Sequence, residues 1–128
     1  MSSIRHMKLI HYGSLKFDPL KWKEPILFPG FNKPRGGFWA SPIDSKCGWD
    51  WWCRSEAYKE QSLDTFFEFE ITGKILRLRG ETPILNMNEL IYRKVDALYL
   101  PESMIYEPRY WGWDCESVVI LNKDIIRS

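Results

Sequence analysis

What this chain lacks narrows its function before any motif is considered. It has almost no net charge: eighteen Lys and Arg stand against seventeen Asp and Glu, a formal +1 over 128 residues. Net charge therefore demands neither a phosphate backbone nor an anionic membrane as partner. No stretch approaches the roughly 20 apolar residues of a membrane helix, and the N-terminus has no apolar signal-peptide core. Histidine is confined to His6 and His11, and the three cysteines, Cys47, Cys53 and Cys115, include no Cys-x-x-Cys pair. That scarcity argues against structural zinc and for a reduced, cytoplasmic protein that uses no metal. There is no internal repeat, low-complexity tract or linker, and a chain of this length with 45% hydrophobic residues supports one core. The leading MSSIRHM reads as a cloning remnant over residues 1–6 with Met7 as the native start, so a single domain is expected over 7–128 and His6 is discounted.

Tryptophan is what the chain has in plenty. FNKPRGGFWASPIDSKCGWDWWC, residues 31–53, holds four of the seven indoles together with paired glycines. The periodicity around it predicts α+β: apolar strands at 8–14 (KLIHYGS), 37–41 (GFWAS), 96–100 (DALYL) and 117–121 (SVVIL), with a proline-broken loop over 18–35. TFFEFEITGKILRLRG (65–80) alternates, and reads as two strands turning at Thr72-Gly73. Trp49, Trp52, Cys53 and Ala57 follow helical spacing, which predicts a helix from Ser45 or Asp50 to about Glu60. A second short helix is expected over 85–94.

Three places carry candidate chemistry. His11, beside Gly13 in HYGS, offers a hydrogen-bonding ring next to backbone that a ligand can approach; alone, it reads first as a structural histidine. GGFWAS offers glycines, the flat face of Trp39 and the Ser41 hydroxyl, or simply a packed turn. Glu116 stands immediately before five uncharged residues, and strand alternation aims it with Val118 and Ile120 at the interior. A carboxylate there needs a partner or a purpose, unless it only caps a strand mouth. The rival pair Glu68 and Glu70 shares one strand face opposite Phe67, Phe69 and Ile71 and reads as a solvated face.

In their order, LIHYGS, GGFWAS and CESVVILNKDII resemble the three motifs of the ADP-ribosyltransferase superfamily of the histidine-aromatic-glutamate type, the diphtheria-toxin and poly-ADP-ribose-polymerase-like catalytic fold. VDALYL and FEFEITGKILRL resemble intervening strands, so the likeness spans nearly the whole chain after Met7. The resemblance implies split, mostly antiparallel sheets with a few short helices. It implies a mono-ADP-ribosyltransferase with NAD as substrate and a protein or nucleic-acid acceptor, protein slightly favoured. Glu116 would stabilise the oxocarbenium-like transition state formed as nicotinamide leaves ribose. His11 would hydrogen-bond the adenosine ribose; Gly13 and neighbouring backbone, Ser14 included, would grip the carboxamide; Trp39, with Tyr12, would stack on nicotinamide; Ser41 would supply a hydroxyl and Arg35 a pyrophosphate contact. Trp49 and Trp52 would pack beneath that wall.

The sequence departs from the family in three places. Tyr12 separates His11 from Gly13, Trp39 stands where a tyrosine is usual, and Asp114 stands where arginine-directed members carry a longer acceptor-orienting side chain. A second class therefore stays open: a small non-catalytic interaction protein on the same fold, such as a phage or mobile-element factor that blocks a host protein, suggested by the 16% aromatic content.

Overall fold

A computed structural model describes residues 3–127. Six strands form in chain order: β1 (Ser3–Tyr12), β2 (Phe38–Pro42), β3 (Phe66–Arg77), β4 (Ala97–Leu100), β5 (Ser117–Ile120) and β6 (Ile126–Arg127). Two short helices, α1 (Trp49–Ser55) and α2 (Met87–Tyr92), and several single helical turns connect them. The strands form one sheet in the order β1-β2-β5-β4-β3-β6, and β1 also pairs with β3. That extra pairing closes five strands into a barrel, all antiparallel except β3 with β4. The class is thus β-rich α+β, but the expected pair of split sheets is replaced by one closed sheet. The cause is the length of β1 and β3, which pair from Ser3↔Leu76 to Tyr12↔Phe66 and leave no open edge between them.

Two strands run past the boundaries expected of them. β1 begins at Ser3, so the folded unit takes in residues ahead of Met7; residues 1 and 2 of the supposed remnant lie outside the described residues. Nor does the chain turn at Thr72-Gly73, because β3 runs straight through. The register against β1 shifts between Ile4 and His6, which puts a bulge where the glycine stands. Gly73 is needed there because a Cβ would meet Asp96 Oδ2 at 2.5 Å, the same oxygen that accepts the Lys74 N–H at 2.8 Å.

Alternation divides the apolar residues between two faces. Leu9, Ala40, Phe69, Ile71, Ile75, Ala97, Val118 and Ile120 come from all five barrel strands and fill its interior. On the outer face Leu76, Leu98, Leu100 and Val119 pack against Leu90 of α2 and against Tyr110 and Trp113 of the loop before β5. Glu68 and Glu70 are exposed, as alternation predicts.

Candidate functional site

The three motif segments become neighbours in space. β1, β2 and β5 are consecutive in the sheet, with Ile10 opposite Ser41 and Trp39 opposite Val119. At this end of the barrel lies a cleft of about 960 Å³, at the upper end of the roughly 300–1,000 Å³ of small-molecule sites. His11, Tyr12, Gly13, Arg35, Trp39 and Ser41 all line it; Ser14 and Glu116 do not.

His11 is half-buried, its ring stacked on Phe38 with centroids 4.2 Å apart. Its Nδ1 donates to the Trp39 carbonyl oxygen at 2.6 Å. Burial lowers its pKa below the ordinary value and outweighs the opposing effect of that hydrogen bond, so the ring is neutral near pH 7. With Nδ1 protonated, Nε2 is an acceptor. Gly13 has φ +103° and is exposed, with its N–H donating to the Thr65 carbonyl at 2.8 Å. Only glycine takes this conformation without strain, so the backbone after β1 turns without a side chain at the cleft edge.

Trp39 projects opposite to His11. Its Nε1 donates to the Gly36 carbonyl at 2.9 Å, its ring meets Trp113 edge-on at 5.1 Å, and Lys33 Nζ lies 5.5 Å from its centroid. Gly36 and Gly37 bring the chain in at φ +78° and +69°; a Cβ on Gly37 would stand 2.7 Å from the Ile120 carbonyl oxygen. Ser41 is buried, and its Oγ accepts the Trp49 N–H at 2.9 Å. That hydroxyl therefore satisfies an otherwise unpaired donor in the first turn of α1 and docks the helix on β2. Arg35 is exposed, its guanidinium 5.0 Å from the Phe28 centroid.

Two indoles are placed differently from expectation. Cys53 is the only buried residue of α1, and Trp49 and Trp52 are half-buried in the cleft lining. Only seven residues long, the helix turns Cys53 to the core and two of its three indoles, Trp49 and Trp52, to the opening. The aromatic stretch is therefore mostly wall.

Glu116 is 8% exposed and faces the interior as alternation requires. Its carboxylate accepts two hydroxyls, from Tyr99 of β4 and from Ser45 in the loop before α1. Its N–H donates to the Cys47 carbonyl at 2.8 Å, pinning that loop to the mouth of β5. Burial first, and then the hydrogen bond and charge of Glu116, raise the Tyr99 pKa, so its phenol stays protonated and donates. Cys115 and Ser117, on either side of Glu116, reach the cleft, and Asp114 joins them. Burial pushes the Cys115 thiol up to about 11, so it is no thiolate nucleophile near neutral pH.

Sequence reasoning missed Lys33, Tyr58, Lys59 and Trp113 in the lining. Trp113, in WGWDCE, had a signal in its position three residues before the glutamate. Tyr58 and Lys59 had none, because they reach the cleft through the turn after α1, where Ala57 and Lys59 take positive φ. Among the described residues no group of three His, Cys, Asp or Glu side chains is placed to hold a metal ion, and no helix is long and apolar enough to cross a membrane. Comparisons with family models, curated proteins and solved structures found no match to this chain.

Proposed function

We propose that this chain is a mono-ADP-ribosyltransferase that transfers ADP-ribose from NAD to a macromolecular acceptor, protein or nucleic acid. The observation that carries this reading is the adjacency of three motifs lying up to about a hundred residues apart. β1, β2 and β5 stand side by side, and His11 is hydrogen-bonded to the backbone of Trp39 at the head of one cleft.

The lining suits such a substrate. The acceptor Nε2 of His11 takes a hydrogen bond from a ribose hydroxyl, and Gly13 leaves backbone accessible for the carboxamide. Trp39 offers a ring face, with Trp49 and Trp52 in the same cleft. Lys33 and Arg35 supply positive charge for the pyrophosphate. Ser41 supports this site indirectly, by holding α1. Transfer breaks the bond from ribose to nicotinamide and forms one from the same carbon to an acceptor nucleophile, whose proton is released. Glu116 stabilises the positive charge that develops on ribose. To do so it exchanges the Ser45 hydroxyl for a ribose hydroxyl, while Tyr99 keeps hold of its other oxygen.

That requirement also sustains the second reading. A Glu116 carboxylate that stays closed by two hydroxyls and outside the cleft lining belongs to a non-catalytic interaction protein. Incubation with NAD followed by mass analysis separates the two: a transferase consumes NAD and releases nicotinamide, and Glu116→Gln slows that release by about 10²-fold or more. Unchanged NAD in the presence of protein and nucleic-acid acceptors overturns the enzymatic reading.

A further inference from the structure

Beside the cleft lies a surface of which the proposed NAD site uses only Lys33 and Arg35. The loop after β1 is strongly basic although the chain is not: residues 15–35 hold Lys16, Lys21, Lys23, Lys33 and Arg35 against Asp18 and Glu24. Both acids are engaged, Asp18 Oδ1 accepting the Leu20 N–H at 3.0 Å and Glu24 Oε1 the Trp22 Nε1–H at 2.9 Å. The end of this loop is tied back by Ile26 and Arg35, which exchange backbone hydrogen bonds of 2.9 Å.

It is also fastened to the loop before β5. Asn32 Nδ2 donates to the Arg109 carbonyl at 3.3 Å, and Trp113 Nε1 donates to the Asn32 carbonyl at 2.6 Å. Lys33 lies where Gly112 has no side chain, its Cδ 3.5 Å from the position of an added Cβ.

Along this seam large aromatic rings are left in solvent: Phe28 is 44% exposed, Phe31 52% and Trp111 75%. Cations are interleaved with them. Arg35 lies over the Phe28 ring, Lys33 bridges from Gly112 to the Trp39 ring in the cleft, and Arg109 is exposed two residues before Trp111. Acids stand among them too: Glu24 in the loop, Glu107 two residues before Arg109, and Asp114 in the cleft. Exposed rings cost free energy in water, and rings alternating with Arg and Lys match a chain of stacked bases joined by phosphates.

We infer that the seam of Phe28, Phe31 and Trp111 with Lys33, Arg35 and Arg109 binds single-stranded nucleic acid and leads it into the cleft. Bases stack on the exposed rings, while the three cations track the backbone. Lys33 and Arg35 belong to both surfaces and so carry the strand from the seam to the site. A duplex cannot bind this way, because its bases are stacked on one another and only its phosphates are presented. The inference extends the transferase reading by choosing its acceptor class, but the binding stands or falls without transfer.

The test is fluorescence anisotropy with labelled mixed-sequence oligonucleotides of about twelve nucleotides, as single-stranded DNA, single-stranded RNA and the DNA duplex. NAD affinity is measured on the same samples. Single strands should bind, the DNA and RNA arms showing which sugar is preferred, with log K falling by about 2 per tenfold rise in salt if three phosphates are neutralised. Trp111→Ala should weaken single-strand binding roughly 5- to 100-fold, and Trp111→Phe should restore most of it. Arg109→Ala should flatten the salt slope by about 0.7. NAD affinity should be unchanged in all three. Absence of single-strand binding at low salt, equal binding of the duplex, or indifference to Trp111→Ala overturns the assignment and leaves a protein acceptor. Loss of NAD consumption with oligonucleotide binding intact counts against the transferase reading alone.

Discussion

His11 Nδ1 donates to the carbonyl oxygen of Trp39 at 2.6 Å, so the side chain of one motif is oriented by the backbone of the next. A carbonyl accepts only, so the bond fixes the tautomer and leaves Nε2 to accept a hydrogen bond from a ligand. His11→Ala should therefore weaken NAD binding by about 1–3 kcal/mol, with little change in melting temperature. Calorimetry showing equal affinity in the variant counts against the role.

The same residue gives a pH dependence. Its folded pKa lies below the ordinary 6.5 because burial disfavours the charged ring. The unfolded chain therefore binds this proton more readily, and the contribution to stability is complete above about pH 6.5 and lost as pH falls from there through the lowered folded value. NAD affinity should fall as the folded ring protonates, at a pH below 6.5. A His11→Ala protein that keeps the same acid dependence of affinity would assign it to another group.

Glu116→Gln tests the carboxylate on two axes. Turnover should drop by about 10²-fold or more with NAD binding little changed, since charge is lost and size kept. Because Glu116 is buried and accepts two hydroxyls, the variant should also lose about 1–3 kcal/mol of stability, beyond a surface substitution. Tyr99→Phe, which removes one of those hydroxyls, should lower stability by about 1 kcal/mol. Glu68→Gln and Glu70→Gln are the controls; loss of turnover there, with Glu116→Gln active, moves the site to β3.

Trp52 and Trp113 should part company. Trp113 is 3% exposed and anchored to Asn32, so Trp113→Ala should cost about 3–5 kcal/mol. Trp52 is half-buried on the cleft wall, so Trp52→Ala should cost less than about 2 kcal/mol and act mainly on ligand binding. Melting curves with equal losses would return Trp52 to the core.

Gly37→Ala should destabilise by more than about 1 kcal/mol, because alanine at φ +69° is strained and its Cβ meets the Ile120 carbonyl oxygen at 2.7 Å. A variant that melts with the wild type would require the β2 entrance to be pliable.

The sequence by itself determined the strands around His11, Trp39, Tyr99 and Val118, the positions of both helices, and the inward aim of Glu116. Each is a local property: period-2 alternation assigns a face without knowing the neighbour. Tertiary structure decided the rest. Glycine in an alternating run is compatible with a turn or a bulge, and the Asp96 carboxylate beside Gly73 selects the bulge. A helix with indoles at its first and fourth positions can bury either face, and the Ser41 hydroxyl docked on the Trp49 N–H accompanies Trp49 and Trp52 in the cleft lining. Barrel closure, the two hydroxyls on Glu116 and the meeting of Lys33 with Trp39 join residues far apart in the chain. The geometry of such contacts is fixed only once the long pairing of β1 with β3 has closed the sheet.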